Sequence, residues 1–377
     1  MQRWLLVLLA GLLVCASVAP VSGVPTANEP FSPGQSLTAD QCTFPFETTD
    51  GTGTTVNLSE EPERVVTLNP STAQTMWEIG AEEKVVGLTK HAMNLDGAEK
   101  RTNISTDGQT INPEAVVALE PDLVLAPSSQ MVTEELVEVL RNAGLTVYYY
   151  PSAESIDDVR ERTRLTGQLV GECEGAAETV AWMDEELAVV EAAVDGHERP
   201  DVLYTFFGYT AGSDTFIHEI IEASGGTNVA AELGIAEYEP VNEEMVIEEN
   251  PDWIILNTNS PDLPDSPAYD ETTAVRENQT VVIDINHLNR PAPRIVYAIT
   301  ELAQTFHPEA YADARASTEA TETPAETTDT STETATPAAP DAPDDLPGFG
   351  ALAALAALIG GLLAAKRRSE RSEEPKP

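Results

Sequence analysis

Basic residues are scarce in this sequence: 20 lysines and arginines stand against 64 aspartates and glutamates, which gives a formal net charge of −44 at pH 7. A nucleic-acid-binding protein needs a basic stripe to pair with phosphates, and the sequence has none. The acidic residues are spread over the whole chain rather than gathered in one block. This pattern is typical of a solvated surface adapted to high salt, and a large acidic face for a cationic ligand is the alternative.

Cysteine is also scarce, with three residues in 377. Cys15 lies inside an apolar run near the N-terminus without a convincing lipobox, so it does not indicate a lipidated N-terminus. Outside this run, Cys42 and Cys173 remain. In an oxidising exterior a single pair of cysteines favours a disulfide over a metal site or a nucleophile.

Motifs of common enzyme classes are absent as well. The sequence has no phosphate-binding glycine loop, no zinc-protease helix with paired histidines and no nucleophile elbow. Ser128 and Ser129 follow a predicted strand, but no glycines flank them to make the sharp turn that a nucleophile needs. We therefore predict a protein that is not an enzyme and that needs no cofactor.

Both ends of the chain differ from a folded domain. Residues 1–23 combine Arg3, an apolar run of about 16 residues and the small residues PVSG, which predicts a secretory signal peptide rather than a membrane span of ~20 residues. Residues 24–61 follow as an N-terminal extension. Residues 313–346 consist mainly of threonine, proline, alanine and acid, which predicts a disordered stalk. Residues 347–377 begin with Pro-Gly-Phe, continue as an apolar stretch and end in a basic segment, which predicts a membrane anchor.

The middle of the chain alternates between strand and helix patterns twice, over residues 62–153 and again over residues 197–312. Between them, residues 154–196 carry apolar side chains at helical spacing, and an unbroken helix there would be about 60 Å long at 1.5 Å per residue. Gly167, Gly171 and Gly175 are the points where it could break. We predict an α/β fold of two Rossmann-like lobes with parallel sheets, joined by one long rigid helix.

A repeated unit supports the two-lobe prediction. NPEAVVALEPDLVLA begins at Asn112, and NEEMVIEENPDWIIL begins at Asn242 in the same register. Each asparagine is placed to cap a helix whose first turn holds Glu114 or Glu244, where the helix dipole favours an acidic side chain.

The chain resembles the substrate-binding proteins of ABC importers for cobalamin and ferric siderophores. The resemblance lies in the order of lobe, long helix and lobe, and in the segments RVVTLNPS, NPEAVVALEPDLVLA, GGTNVA and RPAPRI. The resemblance covers about residues 62–310, and the motif order is most similar to the cobalamin-binding branch. It implies a ligand cleft between the lobes, a protein that is monomeric when free, and delivery of a corrinoid to a permease dimer with its ATPase subunits. In this family each lobe docks onto the permease through a surface glutamate, here Glu114 and Glu244.

The C-terminal end resembles the Pro-Gly-Phe sorting tail of archaeal surface proteins, in which the apolar helix is removed and a lipid anchor remains. A plain transmembrane anchor is the alternative. Both place the folded part outside the cell, attached to the outer face of the membrane. Three sequons, at Asn57, Asn103 and Asn278, are compatible with a glycosylated surface protein.

The cleft residues are expected in loops at the carboxyl ends of the parallel strands. Tyr209 and Arg290 match ligand-contacting residues of the family, whereas His91 and His287 stand where the cobalamin-binding branch has aromatic residues. The two histidines could donate hydrogen bonds to a corrinoid or ligate a chelated metal such as haem iron. The predicted ligand-binding residues are Asn69, Pro70, Ser71, His91, Ser128, Ser129, Phe207, Tyr209, His287, Asn289 and Arg290.

Three alternatives to corrinoid capture remain. A ferric siderophore or haem would suit the same cleft, and an anchored adhesive or structural protein would suit the stalk and the tail. Zinc or manganese import ranks below chelate import, because it needs three or four histidine and carboxylate ligands and the loops supply at most two histidines.

Overall fold

The computed structural model describes residues 42–107 and 110–322. The predicted signal peptide, the stalk beyond residue 322 and the C-terminal anchor segment lie outside these residues. Within the described residues, no helix is both long and apolar enough to cross a membrane.

An antiparallel hairpin opens the described chain, formed by β1 (Phe46–Thr49) and β2 (Thr55–Leu58). Val56 and Leu58 are buried against the core of the first lobe. Just before the hairpin, Cys42 forms the predicted disulfide with Cys173, with the two Cα atoms 5.8 Å apart. The sequence prediction missed this hairpin, which lies inside the segment assigned to an N-terminal extension.

The first lobe contains a parallel sheet. Its strands are β3 (Val65–Thr67), β4 (Val85–Leu88), β5 (Thr102–Asn103), β6 (Leu123–Pro127) and β7 (Val147–Tyr150), which lie side by side in the order β5, β4, β3, β6, β7. Three of these strands, β3, β6 and β7, are buried along their whole length, as expected when helices cover a sheet. The helices between the strands are α1 (Pro70–Glu78), α2 (Pro113–Ala118) and α3 (Glu134–Asn142).

Two helices make up the linking segment, α4 (Ile156–Val170) and α5 (Cys173–Val194). α4 ends at Gly171, whose φ of 80° is the left-handed conformation that favours glycine. The helices fold back on one another, since Nε of Arg160 donates to Oδ1 of Asp184 at 2.6 Å. An unbroken helix over residues 154–196 is therefore not formed. The connecting helix is α5, whose 22 residues span about 33 Å.

α5 contacts the cores of both lobes. Near its start, Ala176 is buried in the first lobe and Oγ1 of Thr179 donates to the carbonyl oxygen of Glu78 at 2.9 Å. Farther along, Met183 and Val190 are buried in the second lobe. The same helix is thus packed into both halves of the molecule.

The second lobe repeats the sheet of the first. Its parallel strands are β8 (Asp201–Tyr204), β10 (Thr227–Asn228), β12 (Trp253–Asn257) and β13 (Thr280–Ile283). They lie side by side in the order β10, β8, β12, β13, which corresponds to β4, β3, β6, β7 of the first lobe. Two further strands, β9 (Tyr209–Ala211) and β11 (Tyr238–Pro240), pair as a separate antiparallel ribbon. Its helices are α6 (Phe216–Ala223), α7 (Val229–Glu232), α8 (Glu243–Glu249), α9 (Pro267–Asp270), α10 (Thr273–Arg276), α11 (Ile285–Leu288) and α12 (Ile295–Phe306). The predicted α/β class with two parallel sheets is confirmed.

A last helix, α13 (Pro308–Glu322), packs against α5. Tyr311 is buried in the core of the second lobe, and Nη1 of Arg315 donates to Oε1 of Glu186 on α5 at 3.2 Å. The predicted start of a disordered stalk at residue 313 is therefore wrong. Composition alone predicted disorder because it does not take into account that Tyr311 and Arg315, in the first turns of α13, pack and bond against the rest of the fold.

The repeated unit forms equivalent helix starts in the two lobes. Oδ1 of Asn112 accepts from the backbone N–H of Glu114 at 3.1 Å, and Oδ1 of Asn242 accepts from the N–H of Glu244 at 2.9 Å. Both predicted caps are confirmed, and both glutamate side chains are exposed.

The aspartates of the repeat also have equivalent roles. Oδ2 of Asp122 accepts from the backbone N–H of Arg64 at 2.8 Å, just before β3, and Oδ2 of Asp252 accepts from the N–H of Asp201 at 3.1 Å, at the start of β8. Each aspartate therefore accepts a hydrogen bond from the backbone at the start of the neighbouring central strand. This shared role accounts for the aspartate in both copies of the repeat.

Candidate ligand-binding site

The loop after β3 uses its polar side chains mainly to cap the following helix, α1. Asn69 caps α1, because its Oδ1 accepts from the N–H of Thr72 at 2.9 Å and from Oγ of Ser71 at 3.0 Å. Pro70 occupies the first helical position, and Ser71 is buried. Asn69 and Ser71 are thus placed at the carboxyl end of β3 as predicted, but Oδ1 of Asn69 and Oγ of Ser71 are already bonded to each other within the cap.

Two further loops of the first lobe lie at the carboxyl ends of β4 and β6. His91 is exposed in a single helical turn, Lys90–Ala92. Pro127 is the last, buried residue of β6, and Ser128 follows it half-buried. Ser129 is exposed, and its Oγ accepts from the N–H of Val132 at 3.1 Å. These loops present the predicted residues at the strand ends of the first lobe.

On the second lobe, an aromatic turn follows β8. The backbone N–H and carbonyl of Phe206 bond to those of Tyr209, and Phe207 and Gly208 between them have φ values of 49° and 81°. Positive φ at both central residues is typical of the tight hairpin turn that matches strand twist. The turn exposes Phe207 by 67% and Tyr209 by 49%.

A left-handed conformation is costly for a bulky side chain such as Phe207, by about 1–2 kcal/mol relative to glycine. The turn therefore holds an exposed aromatic ring where folding alone would favour glycine, and such strain is commonly found at functional sites. Tyr238, on the paired strand β11, is 49% exposed and adds a third aromatic side chain to this surface. Partial burial, together with the nearby Tyr204 and Glu237, raises the pKa of Tyr238 to about 12.

A polar cluster lies beneath this surface at the carboxyl ends of β8 and β12. The hydroxyl of Tyr204, the last residue of β8, accepts from Nδ2 of Asn257 at 3.1 Å and from Nδ2 of Asn289 at 3.0 Å. Burial raises the pKa of Tyr204, so its hydroxyl stays protonated. Asn289 was predicted from the sequence, whereas Tyr204 and Asn257 were missed, because strand-end positions in a buried run carry no sign of a polar function.

Asn257 also shapes the loop that faces the aromatic turn. Its Oδ1 accepts from the N–H groups of Asn259 and Ser260 at 3.0 and 3.2 Å, and Oγ of Ser260 accepts from the N–H of Phe207 at 3.4 Å. The position of the Phe207 ring is thus connected to the polar cluster through one short loop.

Arg290 connects the two lobes. It is 9% exposed, and its Nη2 donates to the carbonyl oxygen of His91 at 2.6 Å while its Nη1 donates to Oδ1 of Asn94 at 3.1 Å. Burial lowers the pKa of Arg290 to about 10, which leaves it charged at neutral pH. The structure therefore brings Arg290 and His91 together, through the backbone of His91 rather than through its ring.

Two more contacts join the lobes beside Arg290. The buried amide of Gln74 donates to the carbonyl oxygen of Asn286 at 3.0 Å and accepts from the N–H of Arg294 at 3.3 Å. Nε of Arg294 also donates to Oε1 of Glu78 at 2.6 Å. α1 of the first lobe is thus attached to the start of α12 in the second, a link that sequence reasoning did not identify.

His287 packs against an aromatic residue. Its ring centroid lies 5.2 Å from that of Tyr297, which in turn lies 5.2 Å from Trp182 on α5. Burial lowers the pKa of His287, and the charges of Arg294 and Arg290 act in the same direction. The half-buried ring is therefore neutral at neutral pH, and it packs against Tyr297 at an interplanar angle of 46°. Among the described residues, no group of three or more histidine, cysteine, aspartate or glutamate side chains is arranged to hold a metal ion.

Comparison with known proteins gives consistent matches. A family model described as periplasmic binding protein matches residues 65–286. The chain is 40% identical to the cobalamin-binding protein of Halobacterium salinarum, over 79% of this chain and 84% of that protein. It is 26% identical to the vitamin B12-binding protein of Vibrio parahaemolyticus, over 67% of this chain and 92% of that protein.

A third relative is an uncharacterised ABC transporter substrate-binding lipoprotein of Bacillus subtilis, 25% identical over 72% of this chain and 88% of that protein. Among solved structures, the periplasmic heme-binding protein RhuT from Roseiflexus sp. RS-1 is similar with a TM-score of 0.60 and 25% identity, over 66% of this chain and 99% of that chain. The heme-binding protein HmuT shares the fold, with a TM-score of 0.61 and 22% identity over 73% of this chain and 94% of that chain. These relatives are named as binding proteins rather than as enzymes.

Proposed function

Because the chain belongs to the periplasmic binding protein family and serves as the substrate-binding protein of an ABC importer, we propose that it captures a corrinoid between its two lobes. The observation that supports this choice most strongly is its 40% identity to the cobalamin-binding protein of Halobacterium salinarum across most of both chains. The loops at the carboxyl ends of the two parallel sheets supply the ligand contacts, as is general for open α/β sheets.

The second lobe has the chemistry that a corrinoid requires. A corrinoid is a broad, flat ring bordered by amide side chains, so it is recognised by aromatic surfaces and by neutral hydrogen-bonding groups. Phe207, Tyr209 and Tyr238 provide exposed aromatic surface. Asn289 and the loop residues Asn259 and Ser260 provide neutral donors and acceptors next to it. Because these contacts are uncharged, affinity should change little in high salt, where the Debye length falls to ~3 Å.

In the first lobe, the side chains of His91, Ser128 and Ser129 face the ligand in this proposal. The exposed ring of His91 acts as a flat hydrogen-bond donor or acceptor toward the corrinoid periphery. Asn69, Pro70 and Ser71 shape the floor, since Oδ1 of Asn69 and Oγ of Ser71 are used within the cap of α1.

α5 and the contacts around Arg290 limit how far the lobes can separate. α5 is packed into both cores, and four side chains, Gln74, Glu78, Arg290 and Arg294, bond from one lobe to the other. A cleft restricted in this way is preorganised, so ligand binding loses less conformational freedom than in a freely hinged protein.

Delivery to the permease uses the repeated helix starts. Glu114 on α2 and Glu244 on α8 are exposed at equivalent positions of the two lobes. In our proposal each docks onto a basic side chain of one permease subunit, so a symmetric permease dimer is held by both lobes at once. The predicted C-terminal tail would keep the protein at the outer face of the membrane, and one relative is a lipoprotein.

Haem is the competing ligand, because similar structures include heme-binding proteins and His91 is exposed. A titration of the purified protein with cobalamin, cobinamide, haem and a ferric hydroxamate, each followed by melting temperature in molar salt, decides between them. We expect the corrinoids to raise the melting temperature most. A shifted haem Soret band that His91→Ala or His287→Ala abolishes would instead support haem capture.

A further inference from the structure

The sheet of the first lobe has a covered outer edge at β7. Nη2 of Arg141 donates to the carbonyl oxygen of Val147 at 3.2 Å. In the turn of the β1–β2 hairpin, the N–H of Gly51 donates to the carbonyl oxygen of Tyr149 at 2.7 Å. Oδ2 of Asp50, in the same turn, accepts from the N–H of Tyr149 at 3.2 Å. These backbone groups at the edge of β7 therefore have partners.

The equivalent strand of the second lobe, β13, has no such cover. In a parallel sheet, successive residues of a strand present their backbone groups to alternate edges. The carbonyl oxygens of Gln279 and Ile283 accept from β12 and from the residue after it, at 3.1 Å each. Thr280 and Val282 therefore face the outer edge. Within residues 42–107 and 110–322, no hydrogen bond is made to their backbone groups at that edge.

β13 also lacks the side chains that usually protect a sheet edge. Natural edge strands are blunted by charged side chains, by proline or by a bulge. β13 has the sequence Thr-Val-Val-Ile, without charge or proline, and its pairing with β12 is regular over all four residues. Val282 is 41% exposed. An apolar edge of this kind can pair with the same edge of another copy of the chain.

The net negative charge of the chain does not protect this edge in molar salt. The formal charge is −44, but the Debye length falls to ~3 Å in molar salt, so two copies repel one another only near contact. The charged residues nearest in sequence, Glu277 and Asp284, lie outside the strand. A cover that acts through its bulk and hydration would work at any salt concentration.

A sequon, Asn278-Gln279-Thr280, leads into this strand. Asn278 has a φ of 60°, a left-handed conformation that asparagine tolerates. Asn278 and Thr280 are both exposed. Among the described residues, neither of their side chains takes part in a hydrogen bond. The amide nitrogen of Asn278 is therefore accessible at the start of the uncovered edge.

The other two sequons lie in different settings. Nδ2 of Asn57, on β2, already donates to Oε2 of Glu47 at 3.1 Å. Asn103 lies on β5, which is also an edge strand but has only two residues, both polar, and very short edges need no further protection. Oδ1 of Asn103 accepts from the N–H of Ser105 at 2.9 Å. Asn278 is thus the sequon that adjoins an unprotected apolar edge.

We propose that Asn278 is an N-glycosylation site whose glycan covers the outer edge of β13. The modification needs export, as residues 1–23 predict, and a lipid-linked oligosaccharide as the donor. Nδ2 of Asn278 attacks the anomeric carbon of the donor, and the bond from this carbon to the phosphate oxygen breaks. An N–C bond replaces it, the amide nitrogen gives up one proton to the solvent, and the lipid phosphate departs, with no change of oxidation state.

The glycan would lie close to the residues that need cover. Val282 is four residues from Asn278, which is about 13 Å along an extended chain at ~3.3 Å per residue. An oligosaccharide of a few sugar units spans this distance, and it is bulky and hydrated. It would keep a second sheet edge away from β13, as the β1–β2 hairpin occupies the edge of β7.

Mass spectrometry of the mature protein, purified from the cells that produce it, tests the modification. The proteolytic peptide that contains Asn278 should carry the mass of an oligosaccharide. Asn278→Asp and Thr280→Ala should each lose this mass because both destroy the sequon, whereas Thr280→Ser keeps the hydroxyl and should retain it. An unmodified Asn278 in the native protein, or a glycan at this position in Thr280→Ala, would overturn the proposal.

Self-association of the purified full chain in molar salt tests the role of the glycan. Sedimentation should show the native glycoprotein as a monomer, and Asn278→Asp should associate at concentrations at least about tenfold lower. Val282→Lys, added to Asn278→Asp, places a charge on the edge and should restore the monomer. Thr280→Ala repeats the measurement should Asn278→Asp fold poorly, and Asn57→Gln, which removes a sequon outside β13, should behave like the native protein. Native-like sedimentation of both unglycosylated variants, or association that Val282→Lys does not reverse, would show that the glycan does not shield this edge.

Discussion

Nη2 of Arg290, in the second lobe, donates to the backbone carbonyl of His91, in the first lobe, at 2.6 Å. The contact joins two loops that were both predicted to touch the ligand. The guanidinium of Arg290 is therefore engaged in a bond between the lobes. Arg290 therefore positions the loop that carries the exposed ring of His91. In the proposed function, its contribution to ligand binding would be through the geometry of the cleft.

Replacement of Arg290 by alanine should lower stability, because it removes the donors to His91 and Asn94 and leaves a buried gap between the lobes. Charge-assisted bonds of this kind are worth roughly 1.5–3 kcal/mol. Chemical denaturation should show a loss of this size, and Arg290→Lys should recover only part of it, because an ammonium group lacks the guanidinium fork. Arg276→Ala is the matched control, and an equal loss in that variant would contradict the positional role.

The aromatic turn should contribute to affinity rather than to stability. Phe207→Gly removes the ring and also relieves the cost of its left-handed backbone, so the variant should be as stable as the native protein or more stable by about 1 kcal/mol. Its corrinoid affinity should nevertheless fall by roughly 0.5–1.5 kcal/mol, the value of an aromatic contact. Equilibrium titration and thermal melting measure the two effects separately.

Tyr209→Ala should weaken corrinoid binding to a similar extent without changing the melting temperature, because the side chain is half exposed. Val139→Ala, which truncates an exposed apolar side chain on α3 of the first lobe, serves as the control. If Tyr209→Ala and Val139→Ala bound the corrinoid with equal affinity, the aromatic turn would not be part of the ligand site.

Charge reversal at the repeated helix starts should separate transport from binding. The double variant Glu114→Arg, Glu244→Arg loses a favourable dipole interaction of about 0.3–1 kcal/mol at each helix and should still bind corrinoid normally. Cellular uptake should stop, because each new arginine repels the basic side chain of the permease on which the glutamate docks. The double variant Glu178→Arg, Glu185→Arg makes the same charge change at exposed positions of α5 and should transport normally. Normal uptake by the first variant would reduce both glutamates to structural roles in their helices.

Reduction of the disulfide should destabilise the first lobe. Cys42 and Cys173 are 131 residues apart in sequence. In the chain-entropy model a loop of such length corresponds to roughly 4–5 kcal/mol. Melting with and without reductant measures the loss, and the double serine variant should melt like the reduced protein and show no response to reductant. An unchanged melting temperature on reduction would contradict this role of the bridge.

Acidification should weaken the attachment of the β1–β2 hairpin through Asp50. Burial acts to raise the pKa of Asp50, but hydrogen bonds from Thr52, Thr54 and the backbone of Tyr149 outweigh it, so its pKa is lowered. A lowered folded-state pKa contributes stability above the unfolded-state pKa, and this stability is lost as the pH falls through the folded-state value. Melting temperatures measured from neutral pH down to about pH 3 should therefore fall more steeply for the native protein than for Asp50→Asn.

The alternation of strand and helix patterns was sufficient to predict both lobes, because parallel strands are buried on both faces and are visible as β-branched runs. The caps at Asn112 and Asn242 were predictable for a similar reason, since capping is decided by residues two positions apart. The break at Gly171 was not, because three glycines offered equivalent breaking points and only the close packing of Gly167 against Ala176 in the folded protein selects one arrangement.

The site was less predictable than the fold. Phe207, Tyr209 and Asn289 could be placed from the strand order, whereas Tyr204 and Asn257 become a polar pair only when β8 and β12 are neighbours. Likewise, the bond from Arg290 to the backbone of His91 depends on the relative position of two lobes. Such contacts between distant residues are determined by tertiary packing and are invisible in a local pattern.

Titration of the purified protein with cobinamide, followed through the visible absorption of the corrinoid, tests the central claim most directly. The account predicts saturation at one corrinoid per chain, with affinity reduced in Phe207→Gly and Tyr209→Ala and unchanged in Val139→Ala. An absence of corrinoid binding, together with a haem Soret shift that depends on His91 or His287, would contradict it.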